Sequence, residues 1–356
     1  MRNFSQVEDA TQPMDVPRAL RSWRIDDFSL LIGTAVAAVS TTWVIYTALT
    51  PASGKTGFFV IAYVAFLLLY VMTCALELGK QNAFDNLWTV LTWSAALLLL
   101  APLTTILLYV IVKGFAGLNL EFFTADLSST GTLDSGGGAA AAIIGTLQQV
   151  LIAVLISVPL GILTAVYLNE VKGKFRRPVR MFVDAMSGIP SIVAGLFILS
   201  SLVYPITKEL SGMMGSFALT ILMIPTIART AEEMLRLIPN DLREAGVALG
   251  ATQWRTVSGV VLPAAKSGLV TAIILGVARI IGETAPLLLV TGGGDALNVN
   301  PTSGPMGSLP YYIWKAFLTG GTEEAFARAW GGMLVLLIFI FILFGLARYL
   351  SGRRVS

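Results

Sequence analysis

The stretch Ile238-Pro239-Asn240-Asp241-Leu242-Arg243-Glu244-Ala245-Gly246-Val247-Ala248-Leu249-Gly250 is a charged interlude between two long apolar runs, roughly 214–234 and 265–290. Asn240 or Asp241, following Pro239, is placed to cap a helix start. Leu242, Ala245 and Leu249 then share one face, and Gly250 ends the helix. A helix this short has little stability of its own and would gain it by docking into a partner's groove. The pattern predicts a short amphipathic helix between two membrane spans, read either as a docking helix or as an ordinary helix-turn connector.

Working outward, apolar segments long enough to cross the hydrocarbon recur along the whole chain. They lie at roughly 28–49, 57–77, 88–112, 140–168, 181–206, 214–234, 265–290 and 331–350. Eight spans put both termini on one side. Lysine and arginine favour the cytoplasmic side, and the run Lys172, Lys174, Arg176, Arg177 and Arg180 fixes one loop there. The N-terminal tail with Arg2, Arg18, Arg21 and Arg24, the segment 235–264, and the tail with Arg348, Arg353 and Arg354 then fall on the same side. The opposite loops hold only Lys55, Lys113, Lys208, Lys315 and Arg328. Two of those loops are long, 113–139 and 291–330, and the second has room for a short interfacial helix around Leu309-Pro310-Tyr311-Tyr312-Ile313-Trp314. The expected class is an all-α integral membrane protein, a polytopic helical bundle.

Composition agrees. The 356 residues are 55% hydrophobic and 13% charged, whereas soluble domains carry about a quarter charged residues. Mean hydropathy is +0.78. The net charge of +3 is what basic cytoplasmic loops contribute and does not point to nucleic acid. Cys74 is the sole cysteine and histidine is absent, which excludes an intramolecular disulfide, a cysteine metal cluster and any serine–histidine triad. No catalytic residue and no metal ligand set is expected.

The seventh apolar run contains Ala278-Arg279-Ile280-Ile281-Gly282-Glu283-Thr284-Ala285-Pro286-Leu287. Each charge costs about 3 kcal/mol at the bilayer centre on insertion scales, so Arg279 and Glu283 face protein or a water-filled path. Spaced four apart on a helix, they share a face and can pair. One reading is a self-neutralising pair that holds helices together. The other is an anion site, with the arginine fork donating to oxyanion oxygens and Glu283 holding Arg279 when empty or accepting a proton from a protonated phosphate oxygen. Thr284 lies in the same stretch, and Pro286 breaks the helix there. In Ser187-Gly188-Ile189-Pro190-Ser191-Ile192-Val193-Ala194-Gly195-Leu196-Phe197, Gly188, Pro190 and Gly195 permit a bent helix with close neighbours. Ser187 and Ser191 are one turn apart and either donate to an anion or bond back to their own helix.

These motifs carry a resemblance. Glu244, Ala245, Gly250, Leu262 and Pro263 match, in register, the EAA loop of ABC importer permeases; Gly246 stands for its second alanine and Val260 for its isoleucine. The stretches 278–287 and 187–197, with Pro225-Thr226-Ile227-Ala228-Arg229-Thr230-Ala231-Glu232-Glu233 leading into the loop, resemble the PstA-type permeases of phosphate ABC importers. The charges of that third stretch are expected to close a salt-bridged helix end.

The resemblance spans roughly residues 85–350 and implies a six-span type I importer core. The chain then reads as a cytoplasmic tail (1–27), two additional spans (28–84), the permease domain (85–350) with its coupling loop (235–264), and a tail (351–356). It implies a substrate path through Arg279, Glu283, Thr284, Ser187 and Ser191, helix breaks at Pro190, Gly195 and Pro286, and an ATPase contact through Arg243, Glu244, Ala245, Gly250, Leu262 and Pro263. The sequence holds no Gly-x-x-x-x-Gly-Lys-Ser/Thr loop, so ATP and magnesium belong to partner ATPase subunits and this chain binds no cofactor. The implied partners are a homologous PstC-like permease, two ATPase subunits and an extracytoplasmic phosphate-binding protein, in a bacterial plasma membrane. A permease for molybdate, sulfate or phosphonate, or a membrane sensor of phosphate status, stays open as an alternative.

Overall fold

A computed structural model of the chain describes residues 25–49, 54–130, 136–171 and 173–352. The tail up to residue 24, Lys172, Arg353 and Arg354, all expected on the cytoplasmic side, lie outside these ranges. Among the described residues the chain is helical, with a single isolated bridge between Gly292 and Met306. It divides into two compact units, Met1–Thr104 and Thr105–Ser356.

The first unit holds α1 (Ile25–Val44), which runs on as a π-helical turn to Leu49, then α2 (Lys55–Leu78) and the first part of α3 (Lys80–Ala116). α1 packs along α2. Tyr70, Cys74, Ala83 and Val90 form a small core with Leu30 and Leu31 against it. The buried Thr42 hydroxyl is satisfied by donating to the Ala38 carbonyl at 2.8 Å. Most other large apolar side chains point outward, Leu76 and Leu98 among them, as hydrocarbon-facing surfaces require. The 37 residues of α3 reach about 55 Å, longer than the ~30 Å hydrocarbon core.

The second unit continues with α4 (Leu120–Thr124), α5 (Ala140–Glu170), α6 (Arg176–Ser187), α7 (Ser191–Ile198, extended by wider turns to Thr207), α8 (Gly212–Arg236), α9 (Asn240–Ala248), α10 (Gln253–Thr256), α11 (Leu262–Ala264), α12 (Lys266–Ile280), α13 (Ala285–Val290), α14 (Leu309–Thr319) and α15 (Glu323–Gly352). α8 is its axis: 67% of its apolar window is buried, against 6% for α3. Ile227 of α8 sits between two glycines. A methyl at Gly161 of α5 would lie 2.7 Å from Ile227 Cγ2, and one at Gly276 of α12 would lie 2.8 Å from its Cγ1. Small residues thus let three backbones approach, the packing that serves where lipid removes the hydrophobic drive between helices.

Among the described residues six helices are long and apolar enough to cross a membrane, and the number is eight when two bent pairs each count as one span. The run expected at 181–206 as a single span is one of those pairs: α6 and the α7 segment meet at 105° across Gly188–Pro190. Pro190 N-caps α7 at φ −58°, ψ 138°, an extended conformation that cannot continue a helix. The other bent pair is Gln253–Ala264 with Lys266–Ile280, at 72°, so this candidate span begins before the expected 265 and ends at Ile280, and the expected run 265–290 is itself divided. α12 stops at Ile280, four non-helical residues follow, and Pro286 re-starts the chain in the first turn of α13. A helix does form near residue 309, as α14, and α15 begins earlier than expected, taking in Arg328, whose guanidinium donates to the Gly136 carbonyl.

At one end of this unit Val257 and Val261 bury with Ala165, Ala231, Leu235 and Leu269. At the other, Phe122, Ala139, Leu309, Ile313 and Val335 form a separate core under the long loops. Those loops are tied together by Asp126, which accepts from the Ser128 hydroxyl and from the Leu297 N–H at 2.8 Å; these bonds hold its carboxyl below the usual carboxylate range.

Candidate functional site

The docking helix forms as α9 and buries none of its residues. Leu242, Glu244, Ala245, Val247 and Leu249 are exposed, and Leu249 is 89% so. The nine-residue helix thus leaves its apolar face bare, as the docking expectation requires. The N-cap expected from Asn240 or Asp241 is not made. Pro239 occupies that position without a side-chain bond, and Asn240 Oδ1 instead accepts from Arg243 at 3.4 Å. Gly250 ends the helix at φ +81°, a conformation that costs most side chains energy.

Arg243, expected at the ATPase contact, turns inward. It donates to Glu170 Oε1, at the end of α5, and to the Leu235 and Ile238 carbonyls. Leu262 likewise packs toward the core beneath the loop, while Pro263 stays exposed beside it. Of the residues expected to meet the ATPase, Glu244, Ala245 and Pro263 therefore present exposed side chains, and Arg243, Gly250 and Leu262 shape the platform. Gly246, one of the two departures from the EAA pattern, has a steric reason: a methyl there would lie 2.6 Å from Thr256 Cγ2 and 2.8 Å from its Oγ1.

At the broken seventh run, Arg279 occupies the last turn of α12 and its guanidinium is exposed. Nη1 donates to Thr226 Oγ1 on α8 at 3.1 Å. The expected pair with Glu283 is absent among the described residues, because the helix stops at Ile280 and i, i+4 geometry is lost before Glu283 is reached. Glu283 and Thr284 lie half-buried in the break itself. The two motif stretches meet here: a methyl at Gly195 of α7 would stand 2.8 Å from Pro286 Cα, so this glycine lets α7 seat directly on the break. Ser187 bonds back to the Val183 carbonyl at 2.9 Å, whereas Ser191 is half-buried at the start of α7. Arg279, Thr226, Glu283, Thr284, Gly195 and Pro286 are thus carried by α7, α8, α12, α13 and the break between the last two, which pack on one another.

Toward the α9 end of α8 lies a charge cluster. Glu232, 1% exposed, accepts from Arg180 of α6, from Arg236 at 2.6 Å, and lies 3.6 Å from Arg229. Arg229 also pairs with Asp184 of α6. Sequence reasoning placed these charges at a helix end and missed the hub. The signal was there: Glu232 lies on the stripe of Pro225, Ala228, Ala231 and Leu235, where a carboxylate is buried and must be paired. Thr226 was missed because a hydroxyl in a span ordinarily bonds its own helix, as this one also does at 3.3 Å to Leu222.

Residues 157–356 match the family of binding-protein-dependent transport system inner membrane components. The chain is 39% identical to the phosphate transport system permease protein PstA of Mycobacterium leprae, over 78% of this chain and 92% of that one. It is 36% identical to the PstA of Pasteurella multocida, over 73% and 91%. A solved bacterial alginate ABC transporter shares the fold, with a TM-score of 0.57 at 16% identity over 78% of this chain and 98% of that one. By these matches the chain belongs to the binding-protein-dependent transport system inner membrane component family, in its PstA branch.

Proposed function

We propose that this permease subunit forms half of the translocation path of an ATP-driven phosphate importer. The observation that carries the reading is Arg279: an arginine at the end of α12, beside a break in an apolar bundle, exposed and bonded to a threonine instead of a carboxylate. A guanidinium in that setting has its donors available to an oxyanion. The PstA names of the relatives supply the particular oxyanion. Glu283, half-buried nearby in the chain, is the group that would accept a proton from monohydrogen or dihydrogen phosphate. Sulfate, unprotonated at neutral pH, has none to give.

In this reading the path is shared with a PstC-like permease, α9 inserts into an ATPase subunit, two ATPases bind ATP and magnesium, and an extracytoplasmic protein delivers phosphate. The first unit's two spans are an addition to a six-span core, and both termini face the cytoplasm. The exposed face of α9 and the inward anchoring of Arg243 support the coupling role. ATP binding then biases a bistable bundle between inward and outward states. Purification of the chain with whatever assembles on it, followed by uptake into vesicles of phosphate against sulfate, tests this. ATP-dependent accumulation of phosphate alone supports the proposal, and accumulation of sulfate with equal efficiency overturns it.

A further inference from the structure

α6 has one side covered and one side bare. Val183, 3% exposed, turns inward, and Arg180 ends on Glu232, so this side packs toward α8. On the other side Phe175, Met181 and Phe182 are 73%, 62% and 66% exposed, with Pro178 and Ala185 exposed between them. At 100° per residue these positions form a single stripe, continued by Phe175 just before the helix. Lys174 and Arg177, both exposed, flank the N-terminal end of the stripe and make no ion pair among the described residues, whereas Arg176, four and seven residues before Arg180 and Val183, lies on the covered side. The one carboxylate on the helix, Asp184, is taken by Arg229.

The direction of α6 decides what covers it. Its axis is bent 105° from the α7 segment, so if that segment crosses the bilayer, α6 runs along the bilayer plane. It lies at the same end of α8 as α9, because Glu232 is within six residues of the Leu235 and Ile238 carbonyls that anchor Arg243. An apolar stripe bounded by unpaired cations and lying flat at the membrane surface has the chemistry of an interfacial helix. Water would leave three large apolar side chains solvated, and a cytosolic protein groove would have to lie at bilayer depth.

We infer that α6 binds anionic phospholipid on the coupling-loop side of the membrane, with Lys174 and Arg177 among the headgroups and Phe175, Met181 and Phe182 among the acyl chains. Which leaflet this is rests on the coupling-loop reading; the lipid contact does not. Because Arg180 and Asp184 tie α6 to Glu232 and Arg229, a lipid-held α6 fixes the end of α8 from which the coupling loop departs.

The test uses the complete importer with Cys74→Ser, which removes the sole native cysteine, and a spin label at Phe182→Cys. It is reconstituted in phosphatidylcholine vesicles into which phosphatidylglycerol is titrated. The label should collide with dioxygen more than with an aqueous nickel complex, and its mobility should fall as phosphatidylglycerol rises. Lys174→Gln with Arg177→Gln should move that midpoint to higher phosphatidylglycerol by about fivefold per charge removed. Free access of nickel to the label, shielding from both reagents as under a second protein, or a midpoint unmoved by the double substitution would overturn the proposal. None of these readings depends on transport, so they stand apart from the fate of the phosphate assignment.

Discussion

Arg243 of α9 donates through Nη2 to Glu170 Oε1 at 2.9 Å, joining the coupling helix to the end of a span 73 residues earlier in the chain. The same guanidinium holds the Leu235 and Ile238 carbonyls at 2.9 and 2.7 Å, so one side chain fastens α9 to the ends of both α5 and α8. On the proposed coupling role, motion of α9 would pass to the bundle through this side chain. Arg243→Ala removes all of these bonds and leaves Glu170, 8% exposed, without its cation, at a cost of about 3 kcal/mol. Uptake should be lost while the ATPase still copurifies, since the exposed face of α9 is untouched. Arg243→Lys should restore little, because an ammonium cannot serve three acceptors placed for a planar fork.

Gly246 and Thr256 make a reciprocal test of how α9 sits. Gly246→Ala should destabilise the loop by about 1–3 kcal/mol through the clash with Thr256, and Thr256→Ala should relieve most of it. ATPase copurification from the two single variants and the double variant measures the coupling. Equal loss in Gly246→Ala and in the double variant would place the fault elsewhere.

Around Glu232 the effects should be unequal. Glu232→Gln leaves Arg180, Arg229 and Arg236 facing a neutral group in a buried position, and should cost about 3–5 kcal/mol, seen as loss of folded protein from the membrane. Arg236→Gln removes a half-exposed partner and should cost under about 1 kcal/mol. Thermal denaturation of the two variants in detergent orders them.

The sequence was most readable where physical periodicity and local chemistry coincide. Apolar length located the crossing helices, and the spacing from Glu244 to Pro263 located α9 and its exposed face. It was least readable where a run of apolar residues conceals a corner. Residues 181–206 and 265–290 are predominantly apolar, and hydropathy does not register that Pro190 and Pro286 begin new helices within them. That same blindness produced the expected Arg279–Glu283 pair, which presumes a helix that has already ended. Arg243 points inward for a reason no single segment contains, since its acceptors come from α5 and the end of α8.

Gly195 and Pro286 hold the break in place, so Gly195→Leu should drive α7 off α13 by colliding with Pro286 backbone atoms at 2.8 and 3.0 Å. The expected cost is about 1–3 kcal/mol, with phosphate uptake falling further than the yield of assembled complex. Uptake normalised to complex recovered from the membrane checks this, and a parallel fall in both would make the contact one of folding alone.

The most direct test of the account is ATP-driven phosphate uptake by reconstituted complex carrying Arg279→Lys. Lysine keeps the charge at the break and loses the fork, so complex assembly and ATP hydrolysis should persist while uptake falls at least about tenfold, the loss of roughly 1.4 kcal/mol or more of phosphate interaction. Arg279→Met with Glu283→Leu should assemble and hydrolyse ATP yet move no phosphate. Near-normal uptake by either variant would contradict the assignment of Arg279 to the phosphate path.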